Sequence, residues 1–230
     1  MSEGAAPEGR AAEALRPLRE RRSIRRFTDA KVPRQVLREL VRYATLAPSA
    51  CNRQAWRFVV VTDPEVKQRI VDGGGSVLIA KAPCGILVSY ANTTRNTEYR
   101  DEVQSASACI QNLLLAAHAY GLGACWLCTL PRKGHLRRLL GIPPSYSPVA
   151  YIILGYPSAA TVKEVPRLHS VEELVGENRF PAAAAEPGPG RLSLAVQRAL
   201  VWVYRRLPGV LRRRFANRFV DRRLTKKFDN

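Results

Sequence analysis

Apolar positions along the chain follow two different periods. Val36, Leu37, Leu40, Val41 and Ala44 recur at helical spacing, with Arg34, Arg38, Glu39 and Arg42 on the outside. They predict a helix that opens at Val32-Pro33, runs to about Ala47 and is ended by Pro48. Residues 11–22 read as a short helix in which Pro17 suits a fresh first turn. Arg57–Val61 is a β-branched run, the mark of a buried strand. Asp63-Pro64 caps a helix to about Asp72, and Gly73-Gly74-Gly75 breaks it. Cys84–Ala91, Leu122–Thr129 and Val149–Tyr156 are the other strand candidates. Gln104–Tyr120 is the longest apolar helix, ended by Gly121, and Pro131–Leu140 is another. Strands alternating with helices predict a layered α/β or α+β domain. The polar stretch 92–103 suits a lid, and residues 157–180 suit an extended arm.

Length and composition limit the classes available. The 230 residues, 46% of them hydrophobic, suffice for one substantial core or for one domain with an appendage. Five cysteines without regular spacing argue for a reducing compartment rather than a disulfide framework. The opening MSEGAAPEGR carries no secretory pattern, and no apolar run reaches the length of a membrane span. The expected organisation is a disordered start at 1–10, a domain at 11–180, a Pro/Gly/Ala linker at 181–190 and a tail at 191–230.

The net charge of +18 is concentrated in that tail. Residues 191–230 hold twelve Lys/Arg against Asp221 and Asp229, leaving +8 for the first 190 residues. Leu192–Leu207 and Val210–Phe228 read as two helices divided by Pro208-Gly209. Apolar positions recur at helical spacing in both, and arginines fill much of the second. The tail fits an amphipathic element on an anionic membrane surface, or one docked on its own subunit or on a dimer mate. Nucleic acid is the weaker alternative, because no reader motif is present.

The first candidate for chemistry is Arg21-Arg22-Ser23-Ile24-Arg25-Arg26-Phe27. In an extended chain Arg21, Ser23 and Arg25 share one face. Two guanidiniums flanking a hydroxyl suit a phosphate-bearing ligand. The competing reading is a solvated basic edge strand. The second candidate is Pro48-Ser49-Ala50-Cys51-Asn52-Arg53-Gln54-Ala55-Trp56. Its small residues admit a ligand close to the backbone, and Asn52 and Gln54 present donors and acceptors to a heterocycle edge. The competing reading is a plain turn followed by a core tryptophan.

Other signals carry less. Cys125-Trp126-Leu127-Cys128 lacks the second pair that a zinc site needs. The spacing reads as two thiols on one strand face, too far apart for a disulfide. His118 falls inside the apolar helix and reads as structural. Gly73–Gly75 lacks the Lys-Ser/Thr of a P-loop, and neither a G-x-S-x-G elbow nor a G-x-G-x-x-G fingerprint is present.

Taken together, RRSIRRF at 21–27, APSACNRQAWRFVVVTDP at 47–64, QNLLLAAHAYGLGACWL at 111–127, LLGIP at 139–143 and YIILGYP at 151–157 resemble the nitroreductase family of FMN-dependent oxidoreductases. The resemblance spans about residues 17–175. It implies an α+β fold with a central mixed sheet flanked by helices. It also implies a homodimer with FMN at the subunit interface and NADH or NADPH as electron donor. By the same resemblance, Arg21, Arg22, Ser23 and Arg25 grip the phosphate, ribityl chain and pyrimidine edge, with Arg25 near flavin N1 and O2. Pro48, Ser49, Ala50, Asn52 and Gln54 come from the partner chain. Arg167 closes over the phosphate, and His169 stands where a second basic group often does. Cys128 and Thr129 fall near flavin N5. Some relatives carry an acid where this chain has Cys128, which bears on donor or substrate preference.

The implied activity is ping-pong hydride transfer from the nicotinamide, through the flavin, to a small electron-poor or conjugated acceptor. No side chain is required as the acid. The alternatives are oxygen-linked dehydrogenation of a biosynthetic intermediate, and a membrane-recruited flavin-binding protein without turnover. The expected location is the cytoplasm, with the tail peripheral on the inner face of the membrane.

Overall fold

The computed structural model describes residues 9–93, 96, 98–158, 166–181, 190–204, 207 and 211. Eight helices are described: α1 (Gly9–Glu20), α2 (Arg34–Ala44), α3 (Pro64–Asp72), α4 (Leu78–Lys81), α5 (Asp101–Ala119), α6 (Lys133–Leu140), α7 (Val171–Leu174) and α8 (Arg191–Tyr204). Four strands form one sheet: β1 (Trp56–Val61), β2 (Cys84–Ala91), β3 (Gly123–Leu127) and β4 (Tyr146–Gly155), in the order β1-β2-β4-β3. All three strand pairings are antiparallel. The parallel element of the expected mixed sheet is the isolated bridge between Ser23 and Ala124.

Period-two alternation explains why the central strands read as unbroken apolar runs. Ile86, Val88, Ile152 and Leu154 face one layer with Leu37 and Leu40 of α2 and Ile110 and Leu113 of α5. Leu87, Tyr151 and Ile153 face the other with Ile70 of α3, Ile79 of α4 and Leu136 of α6. Helices cover both faces, so β2 and β4 have no solvated side. At β1, Asp63 accepts hydrogen bonds from the N–H groups of Glu65 and Val66, which caps α3 as expected.

Several boundaries differ from expectation, each for a local reason. Helix α1 runs through Pro17 without restarting. Helix α5 starts at Asp101 rather than Gln104, because Asp101 and Glu102 supply the negative charge that a first turn favours. The polar lid candidate is therefore shorter than 92–103. Strand β4 begins at Tyr146, three residues early. Its Pro148 sits opposite Ser89, where the β2–β4 register shifts, a place in a sheet that tolerates proline. The arm at 157–180 contains α7, set by a capping box between Ser170 and Glu173. In the tail, α8 covers most of the first expected helix. The second, Val210–Phe228, lies outside the described residues apart from Leu211, as do most of the expected start and the 182–189 part of the linker. Among the described residues no helix is long and apolar enough to cross a membrane.

Residues 21–28 dock as an extra edge on this sheet. The Ile24 N–H donates to the Ala124 carbonyl at 3.0 Å, and the Thr28 N–H to the Tyr156 carbonyl at 2.9 Å. The approach is close because Gly123 and Gly155 have no side chains there. A Cβ on Gly123 would lie 2.7 Å from Ile24 Cβ, and one on Gly155 would lie 2.9 Å from Phe27 Cδ1. Gly123→Ala should therefore lift the segment and cost about 1–3 kcal/mol by overpacking. Thermal unfolding checks this against Gly134→Ala in α6, whose new methyl meets only ordinary contacts and should not destabilise.

Candidate functional site

The segment 21–28 runs along β3, with Arg21, Ser23 and Arg25 on one face. Ser23 bridges Ala124 there. Burial raises the Cys125 thiol pKa, while the Arg25 and Arg21 charges and a hydrogen bond with Ser23 act in the opposite sense. This fits the alternation expected of an extended chain: Ser23 meets one thiol on which the Arg25 and Arg21 charges also act, while Ile24 packs against Gly123. Three further hydrogen bonds fix the guanidiniums locally. Arg25 Nη1 donates to the Ser23 carbonyl at 3.1 Å, and Arg22 Nη1 donates to the carbonyls of Arg19 and Arg21.

The end of β3 adjoins this group. The strand stops at Leu127, so Cys125 is buried while Cys128 and Thr129 are exposed beyond it. The two cysteines do not share a face, as period-two alternation already requires of residues three apart, which corrects the expectation of a shared face. Thr129 is held through its backbone: its carbonyl accepts from the Ser76 N–H at 3.0 Å. The glycine run is what brings Ser76 there. Gly74 has φ 105°, and the Gly75 N–H donates to the Ile70 carbonyl. Its role as a brace for Thr129 was not legible from the sequence.

The second segment is a strained turn. Ala50–Asn52 form one 3-10 turn, and Cys51, Asn52 and Gln54 have φ of 51°, 53° and 48°. Three left-handed non-glycine residues within four positions cost free energy and persist only where contacts over-determine them. Those contacts are present. The Ala50 N–H donates to Ser105 Oγ and the Gln54 N–H to Ser49 Oγ, both at 3.0 Å. Gln54 Nε2 donates to Asn52 Oδ1 at 2.8 Å. Arg53 Nη2 donates to Thr93 Oγ1 at 2.6 Å, tying the turn to the polar stretch before α5. Pro48, Cys51, Asn52 and Gln54 are exposed, whereas Ser49 and Ala50 are half-buried.

Within one chain these two groups are far apart. Glu20, just before the basic segment, lies 3.8 Å from His118 near the end of α5. Ala50 is bonded to Ser105 near its start. At the rise of an α-helix about 20 Å of α5 separates those anchors. The sheet agrees: the turn feeds β1 at one edge, and the basic segment lies on β3 at the other. Arg167 and His169 stand on the exposed stretch before α7, where His169 lies 3.5 Å from Glu173. Among the described residues no cluster of three His, Cys, Asp or Glu could hold a metal ion.

A family profile described as the nitroreductase family matches residues 18–73 and 72–156, more than half of the chain. The chain belongs to the nitroreductase family, and with it to the oxidoreductases. It is 35% identical over 149 residues to an Archaeoglobus fulgidus protein provisionally named NADH dehydrogenase/NAD(P)H nitroreductase; the match covers 63% of this chain and 86% of that one. It is 29% identical over 194 residues to human iodotyrosine deiodinase 1, across 69% of this chain and 66% of that protein. Among solved structures, an FMN-dependent nitroreductase of Clostridium difficile superposes with a TM-score of 0.60 at 28% identity, covering 71% of this chain and 98% of that one. The basic segment, the strained turn and all four strands lie within the matched residues, and α8 lies outside them.

The thiols test this placement. Burial pushes the pKa of Cys84 up to about 11 and of Cys109 up to about 12, and it also raises that of Cys125. Near pH 7 these three stay protonated and enclosed. Cys51 and Cys128 are exposed. A native thiol titration should thus show two fast groups, falling to one in Cys128→Ser and one in Cys51→Ser.

Proposed function

We propose that this nitroreductase-family chain binds FMN and passes reducing equivalents from NADH or NADPH to a small electron-poor or conjugated acceptor, in a ping-pong cycle. The observation that carries the proposal is the gathering of Arg21, Ser23 and Arg25 beside the end of β3. Their chemistry fits the cofactor. Guanidiniums bind phosphate oxygens bidentately and stay charged at any working pH. Arg22, fixed by two carbonyls, adds a further cation beside the segment. When bound, FMN supplies two-electron chemistry, taking hydride from the nicotinamide and handing it to the acceptor. Arg25 at the pyrimidine edge stabilises negative charge there and so raises the reduction potential. The backbone at Cys128–Thr129, where Ser76 holds the Thr129 carbonyl, would stand near the reactive edge of the flavin.

The other half of the cradle comes from a second subunit. The Pro48–Gln54 turn lies about 20 Å along α5 from the basic segment of its own chain, too far to close on the same ring. A two-fold homodimer brings each turn to the partner's basic segment. Asn52 and Gln54, oriented by their mutual hydrogen bond, then meet the ring edge. Arg167 closes over the phosphate, with His169 beside it. Thr93, joined to the turn through Arg53, stands on the side that selects the acceptor. The Clostridium difficile relative is named for FMN, the Archaeoglobus fulgidus relative for NAD(P)H, and the human relative for iodotyrosine, a substituted aromatic ring. The first name supports the flavin, the second the nicotinamide donor and the third a small conjugated acceptor.

The purified protein should be yellow or become so with FMN, and NADH or NADPH should bleach it without oxygen. A protein that stays colourless with added FMN sinks the proposal. Failure of both nicotinamides to bleach a bound flavin turns it toward oxygen-linked dehydrogenation. Arg25→Ala should weaken FMN binding by about ten- to hundredfold or lower the flavin potential. Unchanged binding with an unchanged potential contradicts its role. Subunit sharing is tested by mixing two inactive variants, R21A/R25A and N52A/Q54A. Random re-pairing should restore about one quarter of the sites. No recovery after verified exchange would place both halves in one chain.

A further inference from the structure

We propose that α8 and the basic residues around it dock this enzyme on an anionic lipid surface, with the helix lying in the plane of the headgroups. Leu192, Val196, Leu200 and Val203 are 80%, 52%, 64% and 48% exposed. Their spacing of four, four and three places them on one face of the helix. Arg198 lies two residues from both Val196 and Leu200, which puts it on the opposite face. The exposed Trp202 flanks the stripe.

Among the described residues nothing covers this stripe, so docking on them does not account for it. The surrounding charge chooses among the remaining occupants. The last forty residues hold twelve Lys/Arg against two Asp. A second copy pairing through the stripe would bring two such segments together, like charge against like. A nucleic acid would satisfy the arginines but leave the leucines and valines in water. An anionic bilayer takes both, accepting the apolar stripe at the acyl boundary and the cations at the headgroups. With 14 residues, α8 is shorter than the roughly 20 that a spanning helix needs, so it lies on the bilayer rather than through it.

This inference does not depend on the flavin reading. The test is flotation of the full chain with phosphatidylcholine vesicles, alone or with about 30 mol% phosphatidylserine. The expected result is flotation with the anionic vesicles only. The charge-neutral variant L192Q/L200Q/V203Q should lose about tenfold or more of the bound fraction, with an unchanged melting temperature showing that the domain folds. No flotation of the parent chain overturns the proposal. So does equal flotation of the variant, which would reduce the effect to charge alone. A variant that instead changes the oligomeric state, with flotation unaltered, assigns the stripe to a second copy. Retention on duplex DNA without flotation assigns the tail to nucleic acid, and either result overturns the lipid reading.

Discussion

The Ile24 N–H to Ala124 carbonyl bond fixes the position of the basic segment on the sheet. Its formation requires the bare backbone of Gly123, since any side chain there would meet Ile24. With Ile24 turned inward against the strand, alternation turns Arg21, Ser23 and Arg25 together to the other side. The same docking carries the chain across to β4, where Thr28 and Phe27 meet Tyr156 and Gly155. The proposed phosphate-binding group, built from flexible arginines, gains its direction from this backbone register. The side chains supply the charge, and the glycine lets the charge stand in one place.

Helix α5 imposes the second constraint. Its buried positions, Ala106, Cys109, Ile110, Leu113, Leu114 and Ala117, fasten it to the sheet as a rigid rod. Glu20 is set against its far end and Ala50 against its near end. Neither group can approach the other without undoing that packing, which is dense and costly to disturb. The proposed dimeric site follows from this rigidity. A single chain stable enough to hold both halves in shape holds them too far apart to use them together.

Much of this was legible in the sequence, for identifiable reasons. The four strands and the helices α2, α3, α5 and α6 carry strong periodicity, and Asp63-Pro64 announces its cap. What escaped depended on contacts distant in the chain. Cys51, Asn52 and Gln54 adopt left-handed backbone because Ser49 and Ser105 hold the turn, and Ser105 lies over fifty residues away. Strand β4 tolerates Pro148 because a register shift in β2 meets it. The opposite faces of Cys125 and Cys128, by contrast, are readable from their odd separation of three. The capping box before α7 was readable locally, in Ser170 and Glu173, and was passed over because the stretch around it is otherwise polar.

The net charge of +18 is a poor guide to this protein when taken as one number. Arg21, Ser23 and Arg25 act at close range, through register and direction, at a partly enclosed group where screening by salt is weak. The tail's cations are spread through the last forty residues of the sequence, and attraction between charges in water fades within about 10 Å at moderate salt. Charge of the second kind can bring a surface near, but it cannot orient a ring. It holds the protein in place only when joined to apolar contact, which the stripe on α8 supplies. Two sets of arginines, similar in composition, thus answer to different physics. The register of a strand separates them, because it turns one set inward to a site and has no counterpart in the other.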